Sequence, residues 1–223
     1  MKNLKPLFAI LLILLVTGSS FSQVISESAK RKITVGADFF TDIWQGKPLD
    51  MKLRTINQGF NIFAMYNFQL GESNSSFSAG LSVDNNNMYS NTRIENVNGD
   101  TIKFLPITDV YQRSKINLTY ISVPLEFKIR LKSEIKFGVG FKVKYLMSSK
   151  DKYVGDQPGE AKGKTMIKRK TLNHTEDWAY GFTLRFGYKS FNLFGYYQLS
   201  NIFKKGRGPQ MYPISVGLTI TPF

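Results

Sequence analysis

The sequence predicts an all-β protein, an eight-stranded antiparallel up-and-down transmembrane β-barrel with short periplasmic turns and longer extracellular loops. Three observations predict it: period-two alternation from end to end, connections that alternate between short and long, and an apolar face too bulky to be enclosed. The clearest alternation lies in residues 120–145, "YISVPLEFKIRLKSEIKFGVGFKVKY". Ile121, Val123, Leu125, Phe127, Ile129 and Leu131 share one parity, and after a polar break Ile135, Phe137, Val139, Phe141, Val143 and Tyr145 repeat it. Ser122, Glu126, Lys128, Arg130, Lys136, Lys142 and Lys144 hold the other parity. Successive side chains of a strand point to opposite faces, so each run is a strand with one apolar and one polar face.

The remaining strands follow in order. The first carries Ile33, Val35, Ala37 and Phe39; the second Phe60, Ile62, Ala64, Tyr66, Phe68 and Leu70; the third Phe77, Ala79, Leu81 and Val83. After the two quoted strands come Trp178, Tyr180, Phe182, Leu184, Phe186 and Tyr188, then Phe191, Leu193, Tyr197 and Leu199, and last Tyr212, Ile214, Val216, Leu218 and Ile220. Residues paired across a hairpin face the same side, so Leu131 opposite Ile135 requires a three-residue turn, and Tyr188 opposite Phe191 requires the two-residue turn Lys189-Ser190. Within the long segment at residues 85–116, "NVNGDT" predicts a tight Asn98-Gly99 turn that carries the third and fourth strands beyond the barrel wall.

Alternation alone fits a soluble barrel with its apolar face inward as well as a membrane barrel with that face outward. Volume decides between them. Eight strands enclose a space just wide enough for side chains or one small ligand, and Phe, Tyr and Trp recur too often on the apolar parity to fit there. The opposite parity holds small residues such as Gly36, Asn61, Ser78, Gly80, Ser82, Gly138, Gly140, Thr183, Ser215 and Gly217. An outward band of this size without charge is an aggregation hazard in water, whereas hydrocarbon requires it: a Lys or Arg there costs about 2–4 kcal/mol at the midplane. Tyr120, Tyr145, Trp178, Tyr180, Tyr188, Tyr197 and Tyr212 lie near strand ends and are expected to form interfacial girdles.

The N-terminus points to export. Lys2 and Lys5 precede an apolar run at residues 7–16, followed by small residues, which predicts a signal peptide over residues 1–22 and a single barrel domain over residues 23–223. The destination expected is the outer membrane of a Gram-negative cell after cleavage. With no cysteine, the chain has no disulfide, no lipid-anchoring N-terminal Cys and no thiolate metal site. Lys2 and Lys5 contribute only two of the formal charge of +14, so the exported chain is strongly basic and is expected to meet an anionic surface such as lipid phosphates. No recognised binding motif accompanies the charge, which sets nucleic acid aside.

The Ser-Val-Pro-Leu centre of "YISVPLEFKIRL", the "FGYYQLSNIF" strand and the "PISVGLTITPF" ending resemble the PorT-type outer-membrane β-barrel family of Bacteroidota. That resemblance implies an eight-stranded outer-membrane barrel, and some members serve the type IX protein secretion and gliding machinery while many have no assigned role. The C-terminal aromatic Phe223 also resembles the signal read by the outer-membrane assembly machinery, although Phe223 is out of phase with Ile214, Val216, Leu218 and Ile220, and Pro222 precedes it.

Three groups of residues are candidates for chemistry. Glu126, Lys128, Arg130, Lys136, Lys142 and Lys144 share the lumenal face, with Glu126 opposite Gly140 and diagonal to Lys142. They read either as a polar plug or narrow ion path, or as the paired charges that any buried polar interior needs; the width of an eight-stranded lumen favours the second. Lys150, Lys152, Lys162, Lys164, Lys168, Arg169 and Lys170 crowd one long loop and read equally as contacts to lipopolysaccharide phosphates or an acidic partner, or as a solvated loop. His174, the one histidine, lies beside Glu176 and Asp177, but nothing selects a serine to act with it, so an exposed loop histidine is expected. No cofactor, metal or catalytic constellation is indicated. The function expected is a non-enzymatic envelope interaction or accessory protein whose partners are outer-membrane lipid, lipopolysaccharide and secretion-machinery proteins; the alternatives are a rim enzyme acting on lipid or peptide, and a narrow solute pore.

Overall fold

The computed structural model describes residues 32–221 apart from 72, 98, 132–133 and 157–163. The expected signal peptide and cleavage site, Pro222 and Phe223 therefore lie outside the described residues. Eleven strands are formed: β1 (Ile33–Gln45), β2 (Gln58–Gln69), β3 (Ser75–Tyr89), β4 (Thr92–Ile94), β5 (Phe104–Pro106), β6 (Tyr111–Arg130), β7 (Ile135–Asp156), β8 (Lys164–Lys170), β9 (Trp178–Tyr188), β10 (Phe191–Gln198) and β11 (Tyr212–Ile220). Eight of them, β1, β2, β3, β6, β7, β9, β10 and β11, pair antiparallel with their neighbours, and β1 with β11 closes the ring. Closure leaves none of the eight with an unpaired backbone edge over its spanning portion, which the absence of water in hydrocarbon demands.

Both turn registers follow from the alternation. Tyr188 pairs with Phe191, and the Leu131 amide donates to the Ile135 carbonyl at 2.8 Å. Lys189 and Glu134 adopt positive φ angles of 50° and 63° to make these reversals. The hairpin around Gly99 departs from expectation. The third and fourth barrel strands, β3 and β6, do pair on beyond the wall to Tyr89 and Lys115, but this hairpin is not their tip. Ile94 pairs with Phe104 and Thr92 with Pro106, one residue out of step with a two-residue turn, β4 and β5 form a separate two-stranded sheet, and Asn98 lies outside the described residues.

The apolar parity faces outward, as with Phe39, Leu81, Phe182 and Leu193, each about half exposed or more. The inside is less simple. Besides small residues it holds Phe40, Phe63, Phe194, Tyr120 and Tyr196, all buried. Tyr120 is thus a lumen residue and not part of the girdle. Room for these rings comes from the glycines opposite: a Cβ on Gly59 would lie 2.1 Å from the Phe40 ring. Large side chains placed against absent ones pack the middle of a narrow barrel.

Above the lipid band, β3, β6 and β7 run on well past the last outward apolar pair. A bulge at Met147 shifts the pairing of β7 against β6, so that Thr119 meets Ser148 while Tyr120 meets Leu146. Beyond the bulge the inward parity of β7 passes to Ser149, Asp151 and Tyr153, all buried. The extracellular loops fold over the barrel mouth as an apolar cap in which Trp44, Met51, Met88, Ile102, Leu172, Phe203 and Met211 pack together. Backbone bonds tie the loops to each other, among them Ile102 to the Arg207 carbonyl and Lys204 to the His174 carbonyl, both 2.8 Å.

Candidate functional site

The lumen is spanned by charged side chains in two tiers. In the upper tier Lys142 on β7 reaches across β6 to Asp84 on β3, with Nζ 2.9 Å from Oδ1. Asp84 also accepts from Ser122 at 2.5 Å and Ser82 at 3.2 Å. Lys144 donates to Asn86 at 3.1 Å, Asn86 donates to Asp42 at 2.9 Å, and Asp42 accepts from Ser215 at 2.6 Å. The rings of Tyr120 and Tyr196 flank the Lys144 ammonium with centroids 4.4 and 4.9 Å away, and cation–π attraction replaces part of its lost hydration.

The lower tier centres on Arg185 of β9. Its guanidinium bonds Glu126 through one nitrogen and Asp38 through another at 2.7 Å, while the rings of Phe63 and Phe194 lie 4.7 and 5.0 Å from its carbon. Asp38 accepts further bonds from Thr219 at 2.6 Å and Asn61 at 2.9 Å. Glu126 does pair opposite Gly140, but its partner is Arg185 and not the diagonal Lys142. The reason is reach: Arg185 comes from the facing wall with a forked head that spans two carboxylates. Each buried carboxylate thus has a cation or hydroxyl partner, the condition under which buried charge is tolerated.

The six lumen residues singled out by alternation therefore divide. Lys142, Lys144 and Glu126 are buried in the tiers, whereas Lys128, Arg130 and Lys136 line a cavity of about 500 Å³ beneath Arg185, at the end with the short turns. Lys128 lies 3.9 Å from Glu126 and donates to Asn67 at 3.4 Å, and Lys136 donates to the Lys189 carbonyl at 2.8 Å.

The loop lysines divide as well. β8 pairs with the extension of β7, setting Lys150 opposite Lys170 and Lys152 opposite Lys168. β6 sets Lys115 opposite Lys152 and Asn117 opposite Lys150. Paired residues share a face, so Lys115, Lys150, Lys152, Lys168 and Lys170 form one basic surface two rows above the outward pair Ile121 and Tyr145. Lys115 donates to Asn87 at 2.8 Å, within a ladder of Asn85, Asn87 and Asn117. Burial, and then the neighbouring Arg113, lower the pKa of Lys115 from its ordinary value of 10.5. Arg169 points the other way, 3.3 Å from Asp151 and donating to the Ile94 carbonyl at 3.2 Å. It anchors the hairpin to the cap and is not part of the exposed surface. Lys162 and the side chain of Lys164 lie outside the described residues.

The model of the family described as "Outer membrane protein beta-barrel domain" matches residues 25–204. The chain belongs to that family. This outer-membrane barrel accordingly presents its outward rings to lipid and its long loops to the cell exterior. No curated protein matches it. Two solved structures of Ail, the attachment invasion locus protein of Yersinia pestis, one in complex with the heparin analogue sucrose octasulfate, are each 15% identical; the alignments cover 85% of this chain and 96% of that chain at a TM-score of 0.35. A superposition that loose transfers no site from Ail to this barrel.

Sequence reasoning missed Asp38, Asp42, Asp84 and Arg185, four of the seven charged residues in the two tiers of the outer-membrane barrel. Each was readable as a charge on inward parity, Asp38 between Ala37 and Phe39 and Arg185 between Leu184 and Phe186. His174 is partly buried rather than exposed: with φ at 61°, its Nε2–H donates to the Gly99 carbonyl at 2.9 Å, pinning the turn of the β4–β5 hairpin.

Proposed function

We propose that this barrel is a non-enzymatic, non-conducting platform that holds a basic surface at the outer lipid boundary and binds phosphate-bearing envelope partners, lipopolysaccharide first among them. The observation that carries this reading is the five-lysine face of β6, β7 and β8 standing just above the lipid band. Lysines crowded on one face repel one another unless anions lie between them, and the phosphates of the outer leaflet sit at that height. The paired tiers and the apolar cap support the platform reading over a pore, and the use of His174 as a loop clasp supports it over a rim enzyme.

Lipopolysaccharide binding by the reconstituted barrel tests the proposal. With Lys150, Lys152, Lys168 and Lys170 all changed to Gln, affinity should fall by about tenfold or more, and the salt dependence should flatten. Unchanged affinity would sink it.

The resemblance to PorT-type barrels supports a finer reading, in which the capped face serves the type IX secretion or gliding machinery of a Bacteroidota cell. Affinity purification from detergent-solubilised outer membrane should then retrieve a secretion component, and recovery of a solitary barrel would count against it. Cleavage of residues 1–22, leaving Gln23 first, belongs to the same reading and is checked by the mass of the intact protein from purified membranes.

A further inference from the structure

The cavity below Arg185 has no part in the platform function, yet it is built unlike the rest of the lumen. Arg130 and Lys136 are direct cross-strand partners on the inward face of β6 and β7, and Lys128 lies one pair further in. Like charges set directly opposite one another destabilise a sheet. They are offset only in part: Glu126, held mainly by Arg185, lies 3.9 Å from Lys128, Glu134 sits at the turn beside Lys136, and the Arg130 side chain has no hydrogen bond or ion pair among the described residues. With Asp38, which shares Arg185 with Glu126, four cations (Lys128, Arg130, Lys136 and Arg185) stand against three carboxylates (Glu126, Asp38 and Glu134), and the excess of one positive charge lies on the Lys128, Arg130 and Lys136 side.

Space and complementary groups accompany the charge. The cavity of about 500 Å³ is far larger than a water site and carries amides such as Asn67, Asn74 and Asn192 beside Phe63 and Phe137. Gly138, opposite Lys128, keeps part of it open: a Cβ there would meet its nearest atom, Lys128 Cγ, at 3.7 Å, so a side chain would fit and would occupy the void. A concave recess with a few converging polar groups is a common form of small-molecule site, and this one opens to the end with the short turns, where Arg130, Leu131 and Glu134 are exposed.

We propose that the periplasmic half of the lumen binds a phosphate monoester, whose charge of about −2 at neutral pH is met by the three cations Lys128, Arg130 and Lys136. The monoester is either that of a soluble periplasmic metabolite or the headgroup of phosphatidic acid reaching in past Leu131 from the inner leaflet; both present a terminal phosphate with a second ionisation near neutral pH.

The test is an amide chemical-shift map of the full-length mature barrel, titrated with glycerol 3-phosphate in phosphate-free detergent micelles and, separately, placed in phosphatidylcholine nanodiscs with and without phosphatidic acid. Saturable shifts at Asn67, Asn74 and Gly138 on adding the ester assign a soluble ligand; the same shifts in nanodiscs with phosphatidic acid, and not in those without it, assign the lipid. Either result supports the site, and shifts in neither overturn it. Lys128→Met should weaken the titration by about tenfold, and Gly138→Leu, which changes no charge, should abolish it. Lys150→Gln with Lys168→Gln on the outer face should leave it unchanged. Binding that survives Gly138→Leu would place the anion elsewhere, and the wild-type map decides the matter if either lumen variant fails to fold.

Discussion

Arg185 joins two carboxylates from opposite walls of the barrel, and its replacement is the most damaging single change the lumen offers. Arg185→Met would leave Asp38 and Glu126 without their cation in a buried setting, a loss of about 3–5 kcal/mol. Urea titration of the folded fraction on unboiled gels should show it, and a midpoint shift no larger than that of an outward Leu193→Ala control would contradict the pairing. The lumen charges were legible in the sequence as positions but not as partners. Inward parity marks Asp84 and Lys142, yet their contact spans from β3 to β7 across β6, and such reach depends on the stagger of the whole barrel rather than on neighbouring pairs.

At the scale of elements, the hairpin formed by β7 and β8 beyond the bulge is where the chain departs most from plain alternation. Its strands escaped the sequence reading because the outward parity above the lipid band turns to Asn85, Asn117, Lys150 and Lys152, and the bulge at Met147 then moves the inward set by one residue. Asp151, inside this hairpin, is raised above its ordinary pKa of 3.8 because burial outweighs the attraction of Arg169. The folded hairpin therefore holds this proton more tightly than the unfolded one. Its contribution to stability is complete below pH 3.8 and fades as pH rises through the higher folded value. Amide exchange at residues 150–156 should accelerate accordingly as pH climbs through that window, after correction for intrinsic rates, and Asp151→Asn should remove the step. A profile unaffected by Asp151→Asn would show that this carboxyl is not the group responsible.

Across the whole molecule, the outward band was the most legible feature, because bulky rings on one parity of eight strands admit no enclosed arrangement. The cap over the extracellular mouth was not legible. Trp44 at the end of β1 packs with Met51, Ile102, Leu172 and Met211 from four separate loops, with no period to reveal that they meet. On the proposed reading the cap above and the paired tiers within close the lumen to ions, and among the described residues a recess of about 500 Å³ is left at the end with the short turns. The measurement that bears on this most directly is single-channel recording of the purified, refolded barrel in a planar lipid bilayer. Insertion verified by protease protection should be accompanied by no current steps above the bare bilayer at either polarity; stable, salt-proportional steps from the unmodified protein would contradict a sealed barrel.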